Sequence, residues 1–277
     1  MSQPVKDNYI FSRSEADAIR LNYIHWLSIR LCGFLVHPSI PKESPNLRVA
    51  DVGAGSGIWA MELAHELPRT ARIDAFDNSD SQFPATAWVP PNLHFWTHDC
   101  FKPFAEDLLG KFDVVNVRFF VTIITPQTLP PLIQNLTTLL KPGGYLQWYE
   151  PDMGTTTVTT GSLSFNTPAV DKLVSIMKKP IPNADHSFAA TLDQSFVHQG
   201  LELVTFDRYP MRDTLRPFFC HTQIMTYEAL CEKLEQQGML EPVKAAREHL
   251  QEVKDEFQKG AAVAQEFVCC IGRKGTA

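Results

Sequence analysis

Residues Val49–Ala60 read VADVGAGSGIWA, and how this stretch is read decides the fold. Leu47, Val49, Ala50 and Val52 form a short apolar run, the pattern of a buried strand, with Asp51 near its carboxyl end. Gly53, Gly55 and Gly57 follow at every second position, and Ile58–Ala64 then takes up a helical pattern. A strand that turns through glycines into a helix is a ligand-binding turn. Missing side chains let a ligand approach the backbone, and glycine adopts dihedrals that other residues avoid. Free N–H groups at the helix start then face that ligand.

The spacing narrows the ligand. A dinucleotide fingerprint requires Gly or Ala where Ile58 stands, so that match fails. No G-x-x-x-x-G-K-[ST] occurs, which excludes a P-loop. The carboxylate of Asp51 would repel a pyrophosphate on this turn but suits an ammonium group. S-adenosylmethionine (SAM) carries an ammonium, a sulfonium and an adenosine, and fits this chemistry. The competing reading is a glycine turn that holds no cofactor.

The flanking segments extend the pattern. Arg72–Asp77, RIDAFD, reads as a second strand ending in an acid. Asp77 lies about 20 residues after the glycine turn, where nucleotide-binding α/β folds place a carboxylate on ribose hydroxyls. The alternative is an Asp that caps the next turn. Asn92–Thr97 reads as a third strand, with His98-Asp99-Cys100-Phe101 at its carboxyl end. Asp99 there can accept from an adenine amino group while Cys100 and Phe101 pack on the ring; alternatively Asp99 caps Lys102-Pro103-Phe104. Phe112–Phe120, FDVVNVRFF, is a fourth strand of the buried parallel type, with its last residues on the ligand edge. Arg118 stands in this apolar run and pairs either with a cofactor carboxylate or with a nearby Asp.

Further out, Pro126–Leu140 reads as a helix, Tyr145–Glu150 as a fifth strand, Ser187–Gln199 as a helix and Gly200–Tyr209 as a sixth strand. Residues 218–237 and 241–258 read as helices, and Ala264–Gly272 as a seventh strand. Strands alternating with helices argue an α/β, Rossmann-like doubly wound sheet that is mostly parallel. The Thr-rich stretch from Pro151, with its several prolines, breaks the alternation and reads as an insertion over the site. Before the first strand, a helix over Ser14–Val36 is either a lid or an amphipathic helix packed on the sheet. The expected organisation is an N-terminal arm and lid helix over residues 1–46. A SAM-binding domain over 47–277 follows, with a cap insertion at about 151–186.

Composition sets the class. The chain has 277 residues, 44% hydrophobic and 20% charged, ordinary for a soluble globular enzyme. A net charge of −6 argues against a general nucleic-acid binder. No signal-peptide core and no long apolar run occurs, so no membrane is expected and the cytoplasm is the expected compartment. The six cysteines show neither C-x-x-C spacing nor a metal-ligand pattern with histidine, so no metal is expected. The oligomeric state is left open.

Taken together, the turn Asp51–Gly57, Asp77, Asp99-Cys100, FDVVNVRFF and LKPGGYLQWYE from Leu140 resemble the class I SAM-dependent methyltransferases. DNYIF at Asp7, RLNYIHWL at Arg20, HPSIP at His37, WVPPN at Trp88 and LKPGGYLQW at Leu140 resemble the fungal secondary-metabolism branch, the LaeA-like (UMTA) methyltransferases. The resemblance implies a seven-stranded sheet whose last strand is antiparallel, a SAM cofactor and a small-molecule substrate methylated on oxygen, nitrogen or sulfur. It implies that Asp51, Gly53 and Gly55 hold the methionine end, Asp77 and the adjoining Asn78 the ribose, and Asp99 and Cys100 the adenine. Tyr23, His25 and Trp26 match the branch's N-terminal helix, which covers the cofactor.

The expected reaction is in-line attack of a substrate heteroatom on the sulfonium methyl, with the protein supplying orientation and water exclusion. Candidate bases are His25, Tyr9, and Glu150 or Asp152, each with a structural reading beside it. No strong base pair stands out. That favours an acidic nucleophile such as a thiol, whose pKa is near about 8.5 against about 10 for a phenol. Phe119, Phe120, Trp148, Tyr149 and Phe165 suggest either an apolar, ring-containing substrate or core packing. Two other classes compete: a LaeA-like regulatory protein of secondary metabolism acting through protein partners, and a SAM-fold binder that no longer methylates.

Overall fold

The computed structural model describes residues 13–179 and 184–276. Its elements are α1 (Glu15–Cys32), β1 (Arg48–Val52), α2 (Ile58–Glu66), β2 (Arg72–Asp77), β3 (Leu93–Thr97), β4 (Phe112–Arg118) and α3 (Leu129–Leu139). β5 (Leu140–Thr159), α4 (Pro168–Met177), α5 (Leu192–His198), β6 (Glu202–Pro210), α6 (Arg216–Gln236), α7 (Leu240–Gln258) and β7 (Ala262–Arg273) follow. The strands form one seven-stranded sheet in the order β3-β2-β1-β4-β5-β7-β6. β1 through β5 pair in parallel, and β7 runs antiparallel between β5 and β6. The doubly wound sheet expected from the alternation is therefore present, with an antiparallel seventh strand.

Apolar patterning puts a core on each face. Trp59 and Leu63 of α2, Val170 of α4, Phe219 of α6 and Val253 of α7 pack with Val49, Tyr149 and Phe267 on one side. Leu132 and Leu136 of α3 and Phe196 of α5 pack with Val52, Phe112 and Trp148 on the other. Val49–Val52 are all buried, as a strand covered on both faces must be. The strand order reverses between β1 and β4. At such a switch point the helices diverge and leave a crevice at the carboxyl ends of the strands.

α1 begins at Ser14, whose hydroxyl accepts from the Asp17 N–H, and ends at Gly33 in the left-handed region at φ 89°. That glycine stops the helix short of the expected Val36. α1 lies outside the alternation and is tied to α2, β4 and α6 through His25, Trp26 and Tyr23.

Residues 151–186 differ most from expectation. Pro151–Thr159 continues β5 and pairs with Ala262–Phe267 of β7, because its β-branched threonines suit a strand. Pro168–Met177 is a helix that opens on a proline, and it is held by Glu256 of α7, which accepts from the N–H groups of Ala169 and Val170. A 3₁₀ turn, His186–Thr191, occupies the first half of the helix expected at 187–199.

Candidate active site

The carboxyl ends of β1 to β4 open on a cavity of about 530 Å³. Its lining includes Asp51, Gly53, Gly55, Asp77, Asn78, Asp99, Cys100, Arg118, Phe119 and Phe120.

Asp51 anchors it. A polar row crosses three strands at one register: Asp51 faces Asn116, and Asn116 faces Gln147. Asn116 Nδ2 donates to Asp51 Oδ1 at 2.8 Å, and Gln147 Nε2 donates to Asn116 Oδ1 at 2.9 Å. Gln147 also donates to the Leu35 carbonyl and accepts from the His37 N–H. The row is saturated except at one point. Asp51 Oδ2 is buried and has no hydrogen-bond partner among the described residues. Burial pushes the Asp51 carboxyl up to about 6 against the opposing pull of Arg118.

At the tip of β2, Asp77 Oδ2 accepts from the Gly55 N–H at 2.8 Å and Oδ1 from the Ser79 N–H at 3.1 Å. Each oxygen keeps lone-pair capacity beyond these bonds, and Asp77 lines the cavity. Burial raises this carboxyl too, backbone donors opposing. Asn78 accepts from Arg13 Nη2 at 2.8 Å. Asp99 accepts from the Phe101 N–H at 3.1 Å and pairs with Lys102 at 3.4 Å. The Cys100 thiol is pushed up to about 12 by burial and the nearby Asp99 and Asp77, so it stays protonated.

The glycines serve packing as much as ligand approach. A Cβ on Gly53 would stand 2.2 Å from the Phe120 ring, and one on Gly57 2.5 Å from the Phe95 ring. One on Gly55 would lie 3.2 Å from Leu21 of α1. Phe120 is placed by its own loop. Phe119 sits at φ 63°, a strained value for a bulky residue. The Phe119 N–H donates to the Tyr149 carbonyl, and the Phe120 N–H donates to Glu150 Oε1 at 2.6 Å.

Other residues named from the sequence lie outside the cavity lining. Glu150 is fully buried and accepts on one oxygen from Phe120 and from Trp148 Nε1 at 2.7 Å. Burial pushes its carboxyl up to about 8. Trp148 is itself core, edge-on to Phe120 and Phe188. Asp152 is paired with Arg208 at 2.9 Å. His25 is fully buried between Arg118 and Glu62. Trp26 is half exposed, with its ring N–H on Glu62, and Tyr23 meets His221. Tyr9 lies outside the described residues.

Sequence reading missed Arg13, Leu21, Gln82, His98 and the Thr122–Thr128 loop, all of which contribute to the lining. It placed Asn116 on the ligand edge but gave it no task, though a polar residue in an apolar strand was a usable signal. Among the described residues no group of three or more His, Cys, Asp or Glu side chains could hold a metal ion. No helix among them is long and apolar enough to cross a membrane.

Comparison with known proteins agrees with this geometry. Residues 49–144 match the family described as "Methyltransferase domain". Methyltransferase grgD of Penicillium sp is 32% identical over 158 residues, 54% of each chain. N-methyltransferase tcpN of Claviceps purpurea is 32% identical over 153 residues, again 54% of each. The matched regions thus span about half the length of these curated relatives. Phosphoethanolamine N-methyltransferase 2 of Haemonchus contortus, solved with S-adenosyl-L-methionine, shares the fold. Its TM-score is 0.52 at 16% identity, over 99% of this chain and 61% of that one. The glycine turn and the acids at the tips of β1 to β3 thus fall within the residues, 49–144, that match a methyltransferase domain.

Proposed function

We propose that the protein binds S-adenosylmethionine in the cavity at β1–β4 and directs its methyl group to a heteroatom of a small molecule in fungal secondary metabolism. One observation carries this reading. An orphaned buried carboxylate oxygen on Asp51 and a half-buried guanidinium on Arg118 line the same cavity. Opposite charges lining one cavity fit the zwitterionic head of an amino acid, which a nucleoside phosphate lacks. Asp77 and Asp99, farther along the same edge, fit the ribose hydroxyls and the adenine amino group. When bound, the cofactor supplies an activated sulfonium methyl.

The chain's own task is then orientation and exclusion of water. α1 roofs the cavity through Leu21, and Ser56 Oγ of the glycine turn donates to Asn22 Oδ1 of α1. Phe119, Phe120 and Ile123 wall the cavity with apolar surface, which favours an apolar acceptor. Glu150 and His25, the candidate bases in the described residues, are both fully buried and hydrogen-bonded within the protein. The acceptor is therefore an atom that needs little help losing a proton, a thiol or an amine. The N-methyltransferase name of one relative brings nitrogen level with sulfur here. Six free cysteines accord with a reducing compartment such as the cytoplasm.

Calorimetry with SAM followed by mass spectrometry of methyl transfer to a panel of thiols, amines and phenols tests the reading. Uptake of SAM with transfer to one class supports it. Absence of SAM binding by folded protein overturns it. SAM binding with no transfer to any member of the panel favours a regulatory role.

A further inference from the structure

Arg118 is a half-buried cation in the cavity wall, yet no carboxylate lies within ion-pairing distance of it among the described residues. What holds it is a histidine. Arg118 Nη1 lies 3.0 Å from His25 Nδ1, and His25 Nε2 lies 3.0 Å from Glu62 Oε2. A guanidinium only donates, so Nδ1 must accept. The ring proton then sits on Nε2 and is donated to Glu62. Glu62 is fixed in turn by Trp26, whose ring N–H donates to Oε1 at 2.7 Å. Burial and Arg118 lower the imidazole to about 4, which keeps it neutral and accepting. The series runs from the exposed edge of α1, through α2, back across α1, to the end of β4.

We propose that His25 is a positioning residue, which with Glu62 behind it orients the Arg118 guanidinium to receive the carboxylate of a cavity ligand. The inference rests on the SAM reading above for the ligand's identity. It gives Trp26 and His25 a shared task that neither proton transfer nor plain lid packing requires.

Two ligands separate the possibilities. S-adenosylhomocysteine carries the amino-acid head, and methylthioadenosine has the same adenosine thioether without it. Both are titrated calorimetrically into the full chain. Arg118→Met and His25→Phe, which fills the ring's space without an acceptor, should each weaken S-adenosylhomocysteine by about tenfold or more, as loss of a charge-assisted bond does. Methylthioadenosine affinity should stay within about twofold, because its contacts are untouched. His25→Asn, whose Oδ1 falls where Nδ1 was, should recover most of the loss. Glu62→Ala, at a side chain about one-third exposed, should fold normally and show a smaller loss of the same selective kind. Equal losses for both ligands would make His25 a packing residue of the lid and overturn the proposal, as would full S-adenosylhomocysteine affinity in His25→Phe. Wild-type protein that binds neither ligand overturns the cofactor reading itself, a different and recognisable result.

Discussion

A buried carboxylate with one oxygen left without a hydrogen-bond partner is a cost to the free protein. Asp51 is such a group: its folded-state value of about 6 lies above that of an unfolded Asp. Between the two values the native state binds more protons, so this group makes stability fall as pH rises through about 6. A ligand ammonium at Oδ2 removes the cost. Asp51→Asn should therefore raise the unfolding temperature of the free protein above pH 6 and abolish the further rise given by SAM. For the wild type, SAM affinity should drop as pH falls below that value. Thermal scans with and without SAM across the pH range check both. Asp77 is a different case, since its bonds to the Gly55 and Ser79 N–H groups already satisfy it in part. Asp77→Ala should weaken SAM by roughly 1.5–3 kcal/mol, the range for hydrogen bonds to a charged acceptor. Unchanged affinity in calorimetry would remove it from the site. Both acids were legible in the sequence because each stands at or near the end of an apolar run. Arg118 was visible too, as a charge among apolar neighbours, but its partner was not. His25 lies 93 positions away and reaches it only through the docking of α1.

Between elements, the decisive contact is the loop after β4 pressed on the loop after β1. The Phe120 ring fills the space a Gly53 side chain would need, and Gly53 sits at φ 75°. Gly53→Ala should destabilise the protein by about 1–3 kcal/mol, from overpacking and left-handed strain together. Trimming the ring should return the overpacking part, so Gly53→Ala with Phe120→Leu should be more stable than Gly53→Ala alone. Additive losses in denaturant unfolding would refute that coupling. Strand and helix identities around these loops were readable, since period and apolar runs mark them. The continuation of β5 to Thr159 was not. Prolines and polar threonines look like loop in isolation, and only pairing with β7 makes them strand. α4 was hidden in the same stretch, because its amphipathic face is legible only once α7 supplies what it packs on.

Over the whole molecule, stability comes from two cores and an unbroken sheet, with no covalent cross-link. All six cysteines are free, and Cys220, Cys231, Cys269 and Cys270 are buried. Strong reductant should leave the unfolding temperature unchanged, and a shift of several degrees would reveal a cross-link. The doubly wound class followed from the alternation of strands and helices, whereas the antiparallel direction of the seventh strand came only by resemblance. No local pattern in Ala262–Arg273 states that it inserts between β5 and β6. That insertion constrains biogenesis. β6 leaves the ribosome before the strand that will join it to the sheet exists. Until Ala262–Arg273 has been made, the outer side of β5 and both sides of β6 are bare edges. The growing polypeptide thus has a window in which chaperones, or another nascent copy, can claim those edges.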